Sequence, residues 1–253
     1  MRRCIVSCSV KVFSTPFELA EALAFYLVNK IKEAGKRKSP FTVALSGGNT
    51  PTLLFSVLGD HFSNTVKWNM THFFWVDERC VPPDNPQSNY GIAKQAFLRK
   101  IDIPDLNIHR MKGEDNPEKE AVRYSDEIKS STRSRNGLPV FDLILLGMGE
   151  DGHTASIFPG NEKLLHSDKV CEVAIHPVTG QKRITLTGKI INNAESIVFH
   201  VTGKNKADVL KKVLNDKNSK KQFPASFIDP VNGKLFWYLD KEAGSLLDLA
   251  SEY

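Results

Sequence analysis

The chain has 253 residues, of which 41% are hydrophobic and 25% are charged. This composition is typical of a globular protein that is long enough to bury its own core. No segment approaches the roughly 20 apolar residues of a membrane-spanning helix, so we expect no membrane partner. The net charge of +5 favours an anionic partner, but it is small and its lysines are scattered. We therefore expect a small anionic substrate and no nucleic acid.

The cysteines give no sign of a metal centre. They form no C-x-x-C pair and have no histidines at ligand spacing, and they are Cys4, Cys8, Cys80 and Cys171. Free thiols in a reducing compartment are the simplest interpretation, so we expect a cytoplasmic protein with no metal and no cofactor. The N-terminal apolar stretch is broken by Ser7 and Ser9, which favours a strand over a targeting segment.

The first helix has a clear start signal. Thr15 is placed as N-cap, Pro16 as the first helical residue and Glu18 as the partner in a capping box, and Gly35 is a stop signal. Apolar runs and turn residues then predict a strand over 41–45, a helix from 51 to about 58, a strand over 73–76, a polar loop over 79–88, helices over 90–98 and 116–130, and a strand over 141–146. The last third predicts strands over 183–187, 196–201 and 235–239, a helix over 206–214 and a helix beyond 240.

Strands that alternate with helices predict a mostly parallel sheet with helices on both faces. We expect a Rossmann-like, three-layer α/β fold with a more mixed C-terminal third, in one domain over 1–253. Such sheets bind ligands at the carboxyl ends of their strands. Glycine-rich segments follow Leu45 and Leu146, and a charged segment follows Val76, so the candidate site lies at this edge.

The segment after Leu45 is glycine-rich and precedes a helix. Its candidate ligand-binding residues are Gly47, Gly48, Asn49 and Thr50. Two glycines let a ligand approach the backbone, and a helix N-terminus attracts anions, although a tight structural turn would have the same appearance. The segment lacks the P-loop pattern, which favours a sugar phosphate over a nucleotide.

Charged residues and a histidine follow the other two strands. Asp77, Glu78 and Arg79 form either a solvated turn or a group that orients hydroxyls and stabilises an oxyanion. His153 emerges from the glycine-rich run 147–152 at the predicted sheet edge. Histidine is readily tuned as a general base near neutral pH, so His153 is the candidate base. The sequence leaves open which of Asp77, Glu78 and Asp151 touches a substrate.

Two cations further along are weaker candidates. Arg183 starts a predicted strand, and Lys206 stands near the start of a helix, where a cation and free N–H groups can hold a phosphate together. A solvated surface position is the alternative for both residues.

Several of these segments together resemble the 6-phosphogluconolactonase family, within the superfamily of glucosamine-6-phosphate and ribose-5-phosphate isomerases. The matching segments are 46–51, 77–79, 147–159, 183–187, 202–207 and 223–225, in order along nearly the whole chain. The most specific is the run Asp151-Gly152-His153-Thr154-Ala155-Ser156-Ile157-Phe158-Pro159. Residues 176–182 differ from the Lys-Pro-Pro stretch that is frequent there, and Asn49 replaces a frequent serine.

The resemblance implies metal-independent hydrolysis of 6-phospho-D-glucono-1,5-lactone to 6-phospho-D-gluconate, in the oxidative pentose phosphate pathway. It implies His153 as the base that activates water. Asp77 and Arg79 would contact the sugar or its oxyanion, and Arg183 and Lys206 the phosphate. The protein would be a monomer or a small homo-oligomer.

Two alternatives remain open. A glucosamine-6-phosphate deaminase would continue after Asp-Gly-His with an Ala-Phe-Asn-Glu type of sequence, whereas residues 154–158 contain no carboxylate. A non-catalytic sugar-phosphate sensor on the same fold would normally carry an extension for DNA or a partner, and residues 1–15 are too short for one.

Overall fold

Within residues 8–36, 39–215 and 222–248, which the computed structural model describes, the chain forms eleven strands and seven α-helices. The strands are β1 (Cys8–Phe13), β2 (Phe41–Leu45), β3 (Thr71–Trp75), β4 (Asp77–Arg79), β5 (Arg133–Arg135), β6 (Leu138–Val140), β7 (Leu143–Leu146), β8 (Cys171–Ile175), β9 (Lys182–Leu186), β10 (Ser196–Val201) and β11 (Lys234–Asp240). The helices are α1 (Pro16–Lys36), α2 (Asn49–His61), α3 (Asn89–Ala96), α4 (Pro117–Ser131), α5 (Lys163–His166), α6 (Gly188–Ile191) and α7 (Ala207–Asn215).

The central sheet has six strands in the order β1-β11-β10-β7-β2-β3, and every neighbouring pair is parallel. The predicted mostly parallel sheet is therefore confirmed. Because all six strands run the same way, their carboxyl ends meet at one edge. The segments after Leu45 and Leu146 leave the sheet at this edge from adjacent strands.

Both faces of the sheet are covered, as its apolar sequence requires. All five residues of β2 are buried, and successive side chains point to opposite faces. One apolar cluster packs α1, α2 and α3 on the face that contains Val43 and Leu45. The other packs α4 to α7 on the face that contains Ala44. The helices on both faces produce the expected three layers.

Helix α1 begins as its capping residues predict. The backbone N–H of Glu18 donates to Oγ1 of Thr15 at 3.1 Å, and Oε2 of Glu18 accepts from the N–H of Ser14 at 3.0 Å. These bonds satisfy N–H groups that the helical ladder leaves free. The helix then buries an apolar face against the sheet.

A second sheet accounts for the mixed last third. Strands β4, β9 and β8 form a three-stranded antiparallel sheet, in which Asp77 pairs with Thr185 and Arg79 with Arg183. The short polar strand β4 follows β3 after only Val76, whose N–H donates to Leu45 O and whose carbonyl accepts from Leu186 N. Val76 thus connects the two sheets.

Some sequence predictions differ from the structure. The helix predicted beyond 240 is wrong for the described residues, because the chain there forms turns in which Asp240 Oδ1 accepts from Ala243 N at 2.8 Å and Asp240 O from Gly244 N at 3.0 Å. Strand β8 and the β5–β6 hairpin were not predicted. The strand predicted for the N-terminal apolar stretch is present from Cys8 as β1, and the part of the stretch before Cys8 lies outside the described residues. None of the described helices has the length and apolar character to cross a membrane.

Candidate functional site

A pocket of about 420 Å³ opens at the carboxyl edge of the central sheet. Every residue that the sequence predicts for the site lines it, and these residues are Gly47, Gly48, Asn49, Thr50, Asp77, Arg79, His153, Arg183 and Lys206. They come from segments more than 150 positions apart in the chain, which the sheet brings to one edge.

The N-terminus of α2 forms one side of the pocket. Gly48 is its N-cap with φ of +106°, a conformation that glycine adopts at little cost, and a Cβ there would point into open space. No side chain caps the helix, so the first-turn N–H groups of Asn49 and Thr50 are available to an anion. The hydroxyls of Thr50 and Thr202 lie 2.8 Å apart and join this turn to the end of β10.

His153 is paired with a carboxylate from its own turn. Its Nδ1 lies 2.6 Å from Oδ1 of Asp151, which also accepts the backbone N–H of His153 at 3.1 Å. Since an ionised carboxylate only accepts hydrogen bonds, Nδ1 carries the hydrogen and Nε2 is the free base. Burial alone would raise the pKa of Asp151, but the bonds from His153 outweigh it and hold this pKa below its ordinary value. Asp151 therefore stays ionised and fixes the tautomer of His153.

Phe158 supports the histidine from the side. Its ring is 2% exposed and lies 4.8 Å from the His153 ring between centroids. The guanidinium carbon of Arg183 lies 5.6 Å from the centroid of the same Phe158 ring, within cation–π range. One aromatic side chain thus contacts both the candidate base and a candidate phosphate ligand.

Two arginines lie side by side in the pocket lining. Arg79 and Arg183 are direct partners across β4 and β9, and each has an Nε buried without a hydrogen-bond partner among the described residues. Nη1 of Arg183 is 4.0 Å from Oδ2 of Asp77. Burial lowers the pKa of Arg183, Asp77 opposes this shift, and the charge of Arg79 adds to it. Among the charged residues that line the pocket, three are cations and two are carboxylates, which favours an anionic ligand; they are Arg79, Arg183 and Lys206, and Asp77 and Glu150.

Asp77 and Glu78 have different surroundings. Asp77 lines the pocket, and its Oδ2 accepts the Ser156 hydroxyl at 2.6 Å. Glu78 is 2% exposed behind the pocket wall, where it accepts the backbone N–H groups of Arg79, Asn89 and Tyr90 and the hydroxyl of Ser88. Burial raises the pKa of Glu78 despite these bonds. Glu78 therefore holds the start of α3, and Asp77 is the carboxylate that faces the ligand space.

Asn89 is a lining residue that sequence reasoning missed. It is 1% exposed, and its Nδ2 donates to the main-chain oxygen of Asp77 at 2.9 Å and, at 3.3 Å, to the Asp77 carboxylate. Its neighbour Ser88 is the N-cap of α3, a signal that the sequence does carry. The contact with Asp77 depends on the folded position of β4, which periodicity cannot give.

The start of α7 closes the pocket near His153. Lys206 lies within a short 3₁₀ turn before α7, and burial lowers its pKa while Glu150 and Asp151 oppose that shift. The side-chain amide of Asn205 donates to Oε1 of Glu150 at 2.5 Å. Lys206 and the turn that carries His153 are therefore neighbours. In the part of the chain that the structure describes, no group of three or more His, Cys, Asp or Glu side chains could hold a metal ion.

The fold and the pocket define an α/β protein with a candidate site for a small anionic ligand at the carboxyl edge of a parallel sheet. Residues 14–237 match the model of the family described as glucosamine-6-phosphate isomerases/6-phosphogluconolactonase, and the chain belongs to this family.

Relatives named 6-phosphogluconolactonase agree with this assignment. The chain is 41% identical to 6-phosphogluconolactonase of Treponema pallidum over 92% of each chain. It is 43% identical to 6-phosphogluconolactonase of Haemophilus influenzae, over 82% of this chain and 88% of that one. Its fold is similar to the solved structure of 6-phosphogluconolactonase from Trypanosoma brucei, with a TM-score of 0.86, 32% identity and coverage of 96% and 99% of the two chains.

Proposed function

We propose that this chain hydrolyses 6-phospho-D-glucono-1,5-lactone to 6-phospho-D-gluconate, with His153 as the general base. The observation that carries the mechanism is the Asp151–His153 pair inside a cationic pocket. A lactone carbonyl is already reactive. The protein need only position water, accept its proton and stabilise the tetrahedral oxyanion.

In the first step, Nε2 of His153 accepts a proton from water as the water oxygen bonds to C1 of the lactone. The carbonyl electron pair moves onto oxygen, and the Arg79 guanidinium stabilises this oxyanion. In the second step, the oxyanion reforms the carbonyl, the bond from C1 to the ring oxygen breaks, and the imidazolium gives its proton to that ring oxygen. Asp151 stabilises the imidazolium between the two steps.

Two cationic side chains and the N-terminus of α2 recognise the phosphate in this mechanism. We assign Arg183 and Lys206 to the phosphate, together with the first-turn N–H groups of α2. Burial lowers the pKa of both side chains, so they are partly desolvated, and a desolvated cation attracts a phosphate more strongly than a solvated one does. Asp77 contacts the sugar, held in place by Ser156 and Asn89.

The free thiols of Cys80 and Cys171 support a reducing compartment such as the cytoplasm. A deaminase mechanism has less support, because the segment that follows His153, residues 154–158, contains no carboxylate.

The test follows freshly made 6-phosphogluconolactone above its spontaneous hydrolysis. We expect enzyme-dependent loss of the lactone, and no release of ammonia from glucosamine 6-phosphate. His153→Asn should lower kcat by about 10²–10⁴-fold with little change in KM, whereas His61→Asn at the exposed end of α2 should match the wild type. A folded His153→Asn protein that keeps a third or more of the wild-type kcat would remove His153 from the mechanism.

A further inference from the structure

The turn that carries Asp151 and His153 is held from outside by residues 223–225. Gly152 lies between the two, with φ of +77°. A Cβ built on Gly152 would lie 2.5 Å from Cδ1 of the Phe223 ring and 2.9 Å from its Cβ. The Phe223 side chain therefore packs directly on the Gly152 backbone, at a distance that only glycine permits.

Hydrogen bonds fix the same turn from both sides. The backbone N–H of Ala225 donates to Gly152 O at 3.0 Å. Inside the turn, Gly152 N–H donates to Gly149 O at 3.1 Å, and Gly149 N–H donates to His153 O at 2.9 Å. Gly152 is thus tied to its own turn through its N–H group and to the 223–225 segment through its carbonyl.

We propose that Phe223 is a positioning residue for catalysis, which fixes the Asp151–His153 turn by packing on Gly152. The inference rests on the proposed role of His153 as base. Phe223 does not line the pocket, so its effect must pass through the turn. The next two residues in the chain, Pro224 and Ala225, are buried, which restricts the movement of the Phe223 backbone and ring.

The packing of Phe223 on Gly152 should affect kcat. Asp151 orients His153 only if the two residues keep their relative position, and the backbone between them consists of Gly152 alone. A shift of about 1 Å in a catalytic group can cost on the order of 10²-fold in rate. Loss of the ring should therefore lower kcat more than it raises KM, since the proposed phosphate ligands belong to other segments of the chain than the 149–153 turn.

The experiment compares Phe223→Ala with Phe227→Ala. Both rings are partly buried against the same apolar cluster, but the Phe227 ring faces His166 at 6.2 Å between centroids. We expect similar losses in thermal stability from both variants. Phe223→Ala should lower kcat by roughly 10- to 100-fold with KM changed less than about threefold, and Phe227→Ala should keep the wild-type kcat. If Phe223→Ala does not fold, Phe223→Leu replaces it, because leucine keeps apolar volume in the cluster but loses the flat ring.

A second variant tests the direct contact. Gly152→Ala should lower kcat by itself, because its methyl group meets the Phe223 ring. Phe223→Gly is the matching partner, because it also removes the Cβ that would lie 2.9 Å from the new methyl group. In the double variant Gly152→Ala with Phe223→Gly the methyl group has room, so kcat should rise above that of Gly152→Ala alone, although the positive φ still strains alanine. If the fold-decrease in kcat of the double variant equals the product of the fold-decreases of its two single variants, the contact has no effect on catalysis and the proposal is overturned.

Failure of this inference is distinct from failure of the proposed function. If the wild type hydrolyses the lactone and His153→Asn does not, but Phe223→Ala and Phe227→Ala have equal kcat values, Phe223 has no positioning role. If His153→Asn keeps its activity, the role of His153 is wrong and the inference fails with it.

Discussion

Oδ1 of Asp151 accepts two hydrogen bonds from His153, one from Nδ1 at 2.6 Å and one from the backbone N–H at 3.1 Å. The carboxylate therefore fixes both the tautomer of the imidazole and the direction of its ring. Because the two residues are separated by one glycine, a single turn supplies both the base and the carboxylate that orients it.

Asp151→Asn tests this arrangement without removing the base. The amide can present its N–H₂ group to Nδ1, which favours the tautomer with hydrogen on Nε2, and that tautomer cannot accept a proton from water. We expect kcat to fall by about 10²-fold or more with KM little changed. Steady-state kinetics measure this, and circular dichroism checks that the variant is folded. An unchanged kcat would mean that Asp151 does not orient the base.

Phosphate recognition gives a second prediction. Arg183→Ala or Lys206→Ala should each remove a charge-assisted contact worth about 1.5–3 kcal/mol, and so raise KM by roughly 10- to 100-fold. Lys182→Ala and Lys204→Ala are matched controls, because both lysines are exposed neighbours that do not line the pocket.

Assays with the unphosphorylated lactone distinguish a loss of phosphate binding from a loss of folding or of catalysis. It should be a poor substrate of the wild type, and Arg183→Ala and Lys206→Ala should hardly change its turnover. Equal losses on both lactones would show that these cations act in folding or in the chemical step. Assays at several lactone concentrations with background hydrolysis subtracted decide between these outcomes.

The sequence could place the candidate site residues at one pocket because the central sheet is parallel. Three polar segments were predicted to leave one edge, after Leu45, Val76 and Leu146, and all three line the pocket. That prediction depends only on strand direction, which the alternation of strands and helices indicates. The folded structure was not required for it.

Other features depend on long-range pairing. Strand β4 has three charged residues and no apolar pattern, and it is a strand because Arg79 pairs with Arg183, over a hundred positions away. Asn89 is only twelve positions from Asp77, but it reaches Asp77 from α3 because the fold packs α3 against β4. The chain beyond Asp240 has helix-forming composition, but Asp240 binds the backbone N–H of Ala243 and of Gly203 and the chain turns instead.

A third prediction concerns metal ions. We expect lactone hydrolysis to survive exhaustive chelation, because the proposed chemistry uses an imidazole and guanidinium groups and needs no Lewis acid. Activity after dialysis against EDTA is compared with that of an untreated sample at the same pH. Loss of activity that zinc or magnesium restores would contradict the metal-free mechanism.

The last prediction concerns stability and His200 on β10. This side chain is 1% exposed, and neither ring nitrogen has a hydrogen-bond partner among the described residues. Burial lowers the pKa of His200 from 6.5 to about 4, so the folded protein holds it neutral. The unfolded chain takes up a proton below pH 6.5, and stability is therefore lost as the pH falls from about 6.5 to about 4.

The size of this effect follows from the two pKa values. Between pH 7 and pH 5 the free energy of unfolding should fall by about 2 kcal/mol through His200 alone. His200→Leu should remove this part of the pH dependence. It should also raise stability at pH 7, because it replaces buried polar atoms that lack partners. Urea unfolding at both pH values measures the two effects. The control is His61→Leu at an exposed histidine, which should keep the wild-type change in the free energy of unfolding between the two pH values. An equal loss of stability in the wild type and in His200→Leu would show that His200 is not the acid-sensitive group.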